Sequence, residues 1–360
     1  MSFDFSTPLL AWYAEHKRQL PWRESGTPYG VWLSEVMLQQ TQVVTVIPYY
    51  ERFLKAFPSP TALADAHEDL VLKMWEGLGY YNRCHNLLKA MRQVRDDHGG
   101  RIPDTPEAFS KLPGVGPYTC AAVQSIAFGH KIAAVDGNVI RVVSRLIALE
   151  DEVSTARAKK AIQSIVDGAI PKERPGDFNQ AMMELGATIC TPKKPACERC
   201  PIAGFCQAAK EKTQDSFPVK AKRKPVPTHE VALAAVVSGS GKLLVQKRPA
   251  TGHLAGMWEF PGGKTKKGES HAETLIRRTK EETGFDIKAG KPIGTTTHAY
   301  SHFKVRLHLY LCALASGETP EAGRGLKGQP LAWIDIEALD DLAFPAANRK
   351  LFPLLKELLF

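Results

Sequence analysis

The stretch CTPKKPACERCPIAGFC (190–206) carries the most decisive pattern in this chain. Cys190, Cys197, Cys200 and Cys206 are spaced C-x6-C-x2-C-x5-C. Four thiolates within 17 residues can surround one metal centre. Such a cage suits a [4Fe–4S] cluster or a structural zinc. The spacing is not that of a zinc finger, because no second C-x2-C pair faces the first and no His completes the set. The segment leading into it, FNQAMMELGATIC (178–190), is helix-like, so the metal is expected to fasten a short loop to a helical domain.

Working outward, 360 residues at roughly 150 per domain suggest two domains. An apolar fraction of 44% is enough for ordinary cores. The formal charge of +9 favours a polyanionic partner, nucleic acid or an anionic membrane. No run approaches the ~20 apolar residues of a membrane-spanning helix. The start, MSFDFSTPLLAWYAEHK, has no basic region followed by an apolar core, so a secretory signal is not expected. Cys84, Cys120 and Cys312 stand apart and read as buried thiols of a reducing cytoplasm.

Residues 1–213 read mostly as helices, with apolar residues at helical spacing in SEVMLQQTQVVTVIPYYERFLKAF (34–57) and TCAAVQSIAF (119–128). Residues 214–228, QDSFPVKAKRKPVPT, lose that period and read as a stiff basic linker. Beyond it, residues 229–360 read as mixed α and β. VALAAVVSGSGKLLVQKR (231–248) has the look of a hairpin, and HFKVRLHLYLCAL (302–314) of a strand.

In LPGVGPYTCAAVQSIAF (112–128), Pro113, Gly114 and Gly116 force a tight turn between two helices. Glycines admit a close partner, and the N–H groups opening the next helix bind phosphate. This is the helix-hairpin-helix pattern of sequence-independent DNA binders. Asp136, in IAAVDGNVIRVVSRL (132–146), either caps the helix that follows or faces a developing cation. Glu35 is the only formally charged residue from Ser25 to Tyr50. Its apolar neighbours place it either on a thin exposed edge or inside, with a raised pKa that lets it donate a proton near neutral pH.

With these motifs the N-terminal part resembles the endonuclease III superfamily. Within it, LPWR (20–23), WLSEVMLQQTQV (32–43), EGLGYYNR (76–83), LPGVGPYT (112–119), VDGNV (135–139) and FNQAMMELGA (178–187) resemble the MutY-type adenine DNA glycosylases. The resemblance implies an all-α helix-hairpin-helix glycosylase domain whose loop holds a [4Fe–4S] cluster. Lys193, Lys194 and Arg199 of that loop would meet phosphates. It implies base-excision repair of adenine mispaired with 8-oxoguanine, and of A:G mispairs, on double-stranded DNA. The catalytic set would be Glu35 as acid and Asp136 facing the sugar cation, with Tyr118 and Asn138 positioning them. Gln40 and Tyr80 would enter the base stack, Thr41 and Leu78 would lie beside the oxidised guanine, and Gly114 and Gly116 would meet the backbone. Trp22, Arg23 and Gln180 would form the adenine pocket. Bifunctional relatives carry a lysine where Tyr118 stands, so strand cleavage is expected to be absent or slow. The resemblance also implies a cytoplasmic, nucleoid-associated monomer with transient repair partners and no membrane association.

WEFPGGKTKKGESHAETLIRRTKEETGF (258–285) contains much of a Nudix box, so the C-terminal part is expected to be an α+β Nudix-like domain. Gly263, Glu269, Arg277, Glu281, Glu282 and Gly284 are in register. Arg278 replaces a metal-binding glutamate and Thr279 an apolar residue, which argues for recognition rather than diphosphate hydrolysis. HAYSHF (298–303) matches the family's lesion-reading loop. Ser301 is thereby implied as a hydrogen-bond partner of 8-oxoguanine and His302 as a backbone contact.

Overall fold

The computed structural model describes residues 4–221, 225–300, 302–317 and 319–359. The chain divides into two compact units. One takes the residues up to Asp65 and those from His85 into the Pro-rich segment. The other joins Ala66–Cys84 to the C-terminal residues.

The first unit is helical. The helix Pro28–Leu38 starts with Pro28 in its first turn and Thr27 as its cap, the Thr27 hydroxyl accepting from Gly30 N at 3.1 Å. Every residue from Tyr29 to Met37 is buried, so this helix has no solvent face and Glu35 lies inside. The stretch 34–57, whose apolar spacing reads as helical, divides between two helices. Gln40 takes a left-handed φ of 58°, and the next helix begins at Val43. The two polar residues Gln39 and Gln40 end the buried run, and Thr41 follows them into the turn.

The helices Gly137–Leu146 and Pro175–Thr188 cross closely, because a Cβ at Gly186 would stand 2.5 Å from the Asn138 Cβ. Val139, Val142, Val143, Phe178, Met182 and Leu185 form their shared core, and Cys190, Cys200 and Cys206 pack against it. A fully buried Phe178 is worth about 1.5–3 kcal/mol. The cysteine loop is thus seated on a helical core, as its position after FNQAMMELGATIC predicts. Gln214–Phe217 are also docked rather than free, since Arg145 Nε donates to Gln214 O at 2.9 Å and Phe217 O at 3.3 Å.

In the second unit, seven strands among the described residues form one sheet: β1 (Thr228–Val237), β2 (Leu243–Lys247), β3 (Trp258–Glu259), β4 (Gly262–Lys264), β5 (Ile287–Ala299), β6 (Lys304–Leu314) and β7 (Leu331–Ile334). The order β3-β2-β1-β6-β5 runs along the sheet, with β4 on β1 and β7 on β2. β1 and β2 form the expected hairpin, and β1 and β6 pair in parallel. Odd-numbered Leu233, Ala235, Val305, Leu307 and Leu309 face one core, while Ala232, Ala234, Val236 and Cys312 face Leu275 on the other side. Leu275 belongs to the helix His271–Thr283, which is closed at its start by a reciprocal capping box between Ser270 and Glu273.

Ala66–Cys84 belongs to this unit, although its position in sequence groups it with the helices. Glu76 is the reason. Its carboxylate accepts from Phe344 N at 3.0 Å and from Arg349 at 3.0 Å, and Lys73 donates to Leu342 O at 3.3 Å. Among the described residues no helix is long and apolar enough to cross a membrane.

Candidate active site

Three helices bring two carboxyl groups to one cavity of about 950 Å³ in the first unit, lined by Trp22, Arg23, Glu35, Tyr118, Asp136 and Gln180, among others. Glu35 is 6% exposed. Burial raises its pKa to about 7, with the Asp136 charge adding to the rise and the Tyr118 hydroxyl and Arg23 opposing it. The Tyr118 hydroxyl donates to Glu35 Oε2 at 2.7 Å and lies 3.2 Å from Met183 Sδ. Glu35 can therefore both hold and give up a proton around neutral pH.

Asp136 does cap the following helix. Its Oδ1 accepts from Asn138 N at 2.9 Å and Val139 N at 2.7 Å, and its Oδ2 from Asn138 Nδ2 at 2.8 Å. Burial raises this carboxyl too, against those three donors and the charge of Arg141. The two carboxyls thus have unequal support, with one donor at Glu35 and three at Asp136. Asp136 is the better supported of the two as an anion, and Glu35 the better suited to hold a proton. The capping role that its position in sequence allows is therefore the one observed for Asp136. Asn138 is itself held by Arg141, whose Nη2 donates to Asn138 Oδ1 at 2.9 Å.

Arg23 Nε donates to Gln180 Oε1 at 3.1 Å, and Trp22 is buried beside Tyr50. The sequence argument missed what holds this group. Glu184, with a side chain 1% exposed, pairs with Arg23 at 2.9 Å and Arg18 at 2.6 Å. Those arginines bring its pKa below the ordinary value in spite of burial. The available signal was the acidic residue inside FNQAMMELGA, one helical turn beyond Gln180.

Gly114 and Gly116 occupy the turn between the helices Pro106–Phe109 and Pro117–Phe128. Gly114 is required twice over, with φ at +75° and Asn86 Cβ 2.6 Å from where a Cβ would sit. Gly116 caps the second helix and faces open space, which leaves its backbone approachable. Gln40 and Thr41 line the cavity. Leu78 and Tyr80 lie in the other unit, Leu78 buried and Tyr80 43% exposed. Gln40 and Tyr80 are both non-glycine residues with left-handed φ, at 58° and 49°. That conformation costs of order 1–3 kcal/mol and gathers at functional positions.

The four cysteines line a common pocket, with Arg145 Nη1 donating to Cys190 Sγ at 3.3 Å. No three of their sulfurs lie within 4.8 Å of one another. A single tetrahedral zinc with bonds of about 2.3 Å would need sulfurs about 3.8 Å apart. The sulfurs as they stand are spaced more widely than that, which fits a cluster better than a single ion unless the side chains rotate. Burial raises the thiols of Cys197, Cys200 (to about 12) and Cys206, and neighbouring cysteines raise each of the three further. Such groups ionise together only around a cation.

In the second unit, Arg277 pairs with Glu269 at 2.6 Å and Glu281 at 3.3 Å, and Arg278 pairs with Glu281 at 3.0 Å and with Glu282. Every acidic position of the box faces an arginine. Among the described residues these glutamates do not converge as a metal site. His302 sits at the exposed turn between β5 and β6, where Tyr300 N donates to Phe303 O at 2.8 Å. Ser301 lies outside the described residues.

Residues 33–167 match the HhH-GPD superfamily of base excision DNA repair proteins, 190–206 the iron–sulfur binding domain of endonuclease III, and 232–354 the NUDIX domain. The rat adenine DNA glycosylase is 34% identical over 98% of this chain and 78% of its own length. The chain belongs to the adenine DNA glycosylase family. A Buchnera aphidicola member is 30% identical over 98% of this chain and 99% of its own. A solved thermostable thymine-DNA glycosylase is 31% identical, with a TM-score of 0.53 over 57% of this chain and 95% of that one.

For this family member the cysteine loop is an iron–sulfur site, and Cys190, Cys197, Cys200 and Cys206 would be its ligands. The cluster would tie the loop to the helical core and supply no group to the cavity, since none of the four cysteines lines it.

Proposed function

We propose that this protein removes adenine mispaired with 8-oxoguanine, and with guanine, from duplex DNA and leaves an abasic site. The observation that carries this reading is a buried Glu35 with a raised pKa beside a hydrogen-bonded Asp136 in a cavity large enough for a base.

Adenine leaves deoxyribose poorly as an anion. Glu35 donates its proton to N7 of the base, which general acid catalysis makes worth ~10²–10⁴-fold. The sugar becomes oxocarbenium-like, and the Asp136 carboxylate stabilises it. A charge pair ~4 Å apart at an effective dielectric of ~20 contributes about 4 kcal/mol. Tyr118 and Asn138 hold the two carboxyls, and water completes the hydrolysis. The double-carboxylate logic parallels glycoside hydrolysis. Tyr118 stands where a lysine would start strand cleavage, and among the described residues no lysine lines the cavity. With no amine to form a Schiff base, the enzyme acts as a monofunctional glycosylase.

The base has to leave the stack at a cost of a few kcal/mol. Gln40 and Tyr80 enter the stack, Thr41 and Leu78 lie beside the oxidised guanine, and Trp22, Arg23 and Gln180 receive the adenine. The amides around Gly114 and Gly116 and the cations of the cysteine loop meet phosphates. The C-terminal unit reads the lesion through Ser301 and His302. Oxidation turns guanine N7 from acceptor to donor, and a hydroxyl at Ser301 answers that change.

The test is the ratio of excision rates on A:8-oxoguanine and A:G duplexes. One hydrogen bond is worth about 0.5–1.5 kcal/mol, so Ser301→Ala lowers the ratio by roughly three- to tenfold and leaves A:G excision nearly intact. An unchanged ratio would remove the lesion-reading role. The point variant is preferable to deleting 229–360, because deletion also removes the Phe344 and Leu342 backbone groups that Glu76 and Lys73 hold.

A further inference from the structure

One cluster of metal-ligating groups lies outside everything described so far. Glu230 on β1, His308 on β6 and His271 at the start of the helix His271–Thr283 each offer a donor atom, and all three donors lie within 4.8 Å of one another. Their placement follows from the sheet. Residue 232 pairs with 308 across the parallel strands, so Glu230 and His308 are diagonal neighbours on the face that carries Ala232, Tyr310 and Cys312. The helix begins over that same face.

The orientation of the donors is what distinguishes this cluster from a chance ion pair. His308 Nε2 is 2.7 Å from Glu230 Oε2, while its Nδ1 is 3.1 Å from the Thr295 hydroxyl. His271 Nδ1 is 2.9 Å from the Tyr310 hydroxyl, and its Nε2 has no hydrogen bond among the described residues. The two rings lie 4.2 Å apart. Arg306 holds the other carboxylate oxygen of Glu230 at 2.9 Å, which leaves Oε2 as a single donor. Each histidine therefore has one nitrogen held by a side-chain hydroxyl. The other nitrogen has no hydrogen bond among the described residues on His271 and is paired with Glu230 Oε2 on His308, so an entering ion would replace the Glu230–His308 contact while the hydroxyls aim both imidazoles. A Glu230–His308 ion pair alone needs neither His271 nor the Tyr310 hydroxyl.

We propose that Glu230, His271 and His308 form a site for a divalent cation of the Zn²⁺ class. Two imidazoles and one carboxylate suit that class better than Mg²⁺ or Ca²⁺, which prefer oxygen. Bonds of about 2.0–2.1 Å place tetrahedral donors roughly 3.3 Å apart, so the 2.7 Å Glu230–His308 contact opens and His271 turns toward it by small rotations to admit an ion. The Glu230 side chain is 40% and the Arg306 side chain 50% exposed, so water takes the fourth position. The bound ion joins β1, β6 and the helix start.

The experiment uses the full chain with its iron–sulfur cluster in place and Zn²⁺ alone as the probe. Zinc and iron per chain are measured after equilibrium dialysis against micromolar Zn²⁺, and affinity is measured by competition with a chromophoric chelator. One zinc per chain is expected with iron unchanged. His271→Gln and His308→Gln each weaken binding by more than about 100-fold. Tyr310→Phe weakens it about 10–100-fold, the usual effect of an outer hydrogen-bond partner. Iron content identical across the variants shows that the cysteines are not the zinc ligands. No uptake by the unaltered protein overturns the proposal, as does uptake that His271→Gln and Tyr310→Phe leave unchanged. If His308→Gln fails to fold by circular dichroism, those two variants still decide.

Discussion

Glu35→Gln should abolish excision and, above neutral pH, make the protein more stable. The folded-state pKa of Glu35 stands at about 7 against an ordinary 4.5, mainly because the carboxyl is buried. A raised pKa means that the folded protein binds a proton more tightly than the unfolded chain. That contribution is fully present below pH 4.5 and is lost as pH rises through 7. A difference of about 2.5 pH units at about 1.4 kcal/mol each makes the full effect about 3 kcal/mol. Glutamine keeps the shape and an oxygen for the Tyr118 hydroxyl and does not ionise. Urea unfolding of both proteins at several pH values between 5 and 8.5 measures the difference. The advantage of the variant should be small at pH 5 and approach about 3 kcal/mol by pH 8.5. A difference that does not change with pH, or a variant less stable at pH 8.5, would refute the buried-acid account even if activity were lost.

Two further outcomes follow from the same geometry. Tyr118→Phe removes the hydrogen bond that favours the Glu35 anion, so the alkaline limb of the single-turnover pH profile should move up by about one pH unit. A limb that stays in place or moves down contradicts that role. Glu184→Gln leaves Arg18 and Arg23 without their buried carboxylate and should cost about 3 kcal/mol of stability, read by urea unfolding, together with weaker DNA binding. Full stability would show that the arginines find other partners.

Much of the architecture was legible in the sequence because its signals are local. The cysteine spacing, the Gly-rich turn and the change from helical to alternating period each lie within a short window. Glu35 could be singled out as a lone charge in an apolar run, but only the packed helix Pro28–Leu38 settles that it is inside. Glu184 stayed hidden because its partners Arg18 and Arg23 are more than 150 residues away, and no short pattern marks such a pair. The break at Gln40 has no mark in the sequence, because apolar spacing continues on both sides of it. The allegiance of Ala66–Cys84 was hidden for the same reason as Glu184, since the partners of Glu76 are Phe344 and Arg349. The Glu230–His271–His308 cluster likewise exists only once β1 and β6 pair in parallel.

In the proposed reaction Glu35 and Asp136 break a glycosidic bond and Tyr118 leaves the strand intact. Single-turnover reaction with a duplex carrying adenine opposite 8-oxoguanine, analysed with and without alkaline heating, tests it most directly. Breakage at the adenine only after alkali is the predicted result. Breakage without alkali would reveal a nucleophile the account lacks, and no breakage with tight binding retained would make the protein a damage binder rather than a glycosylase.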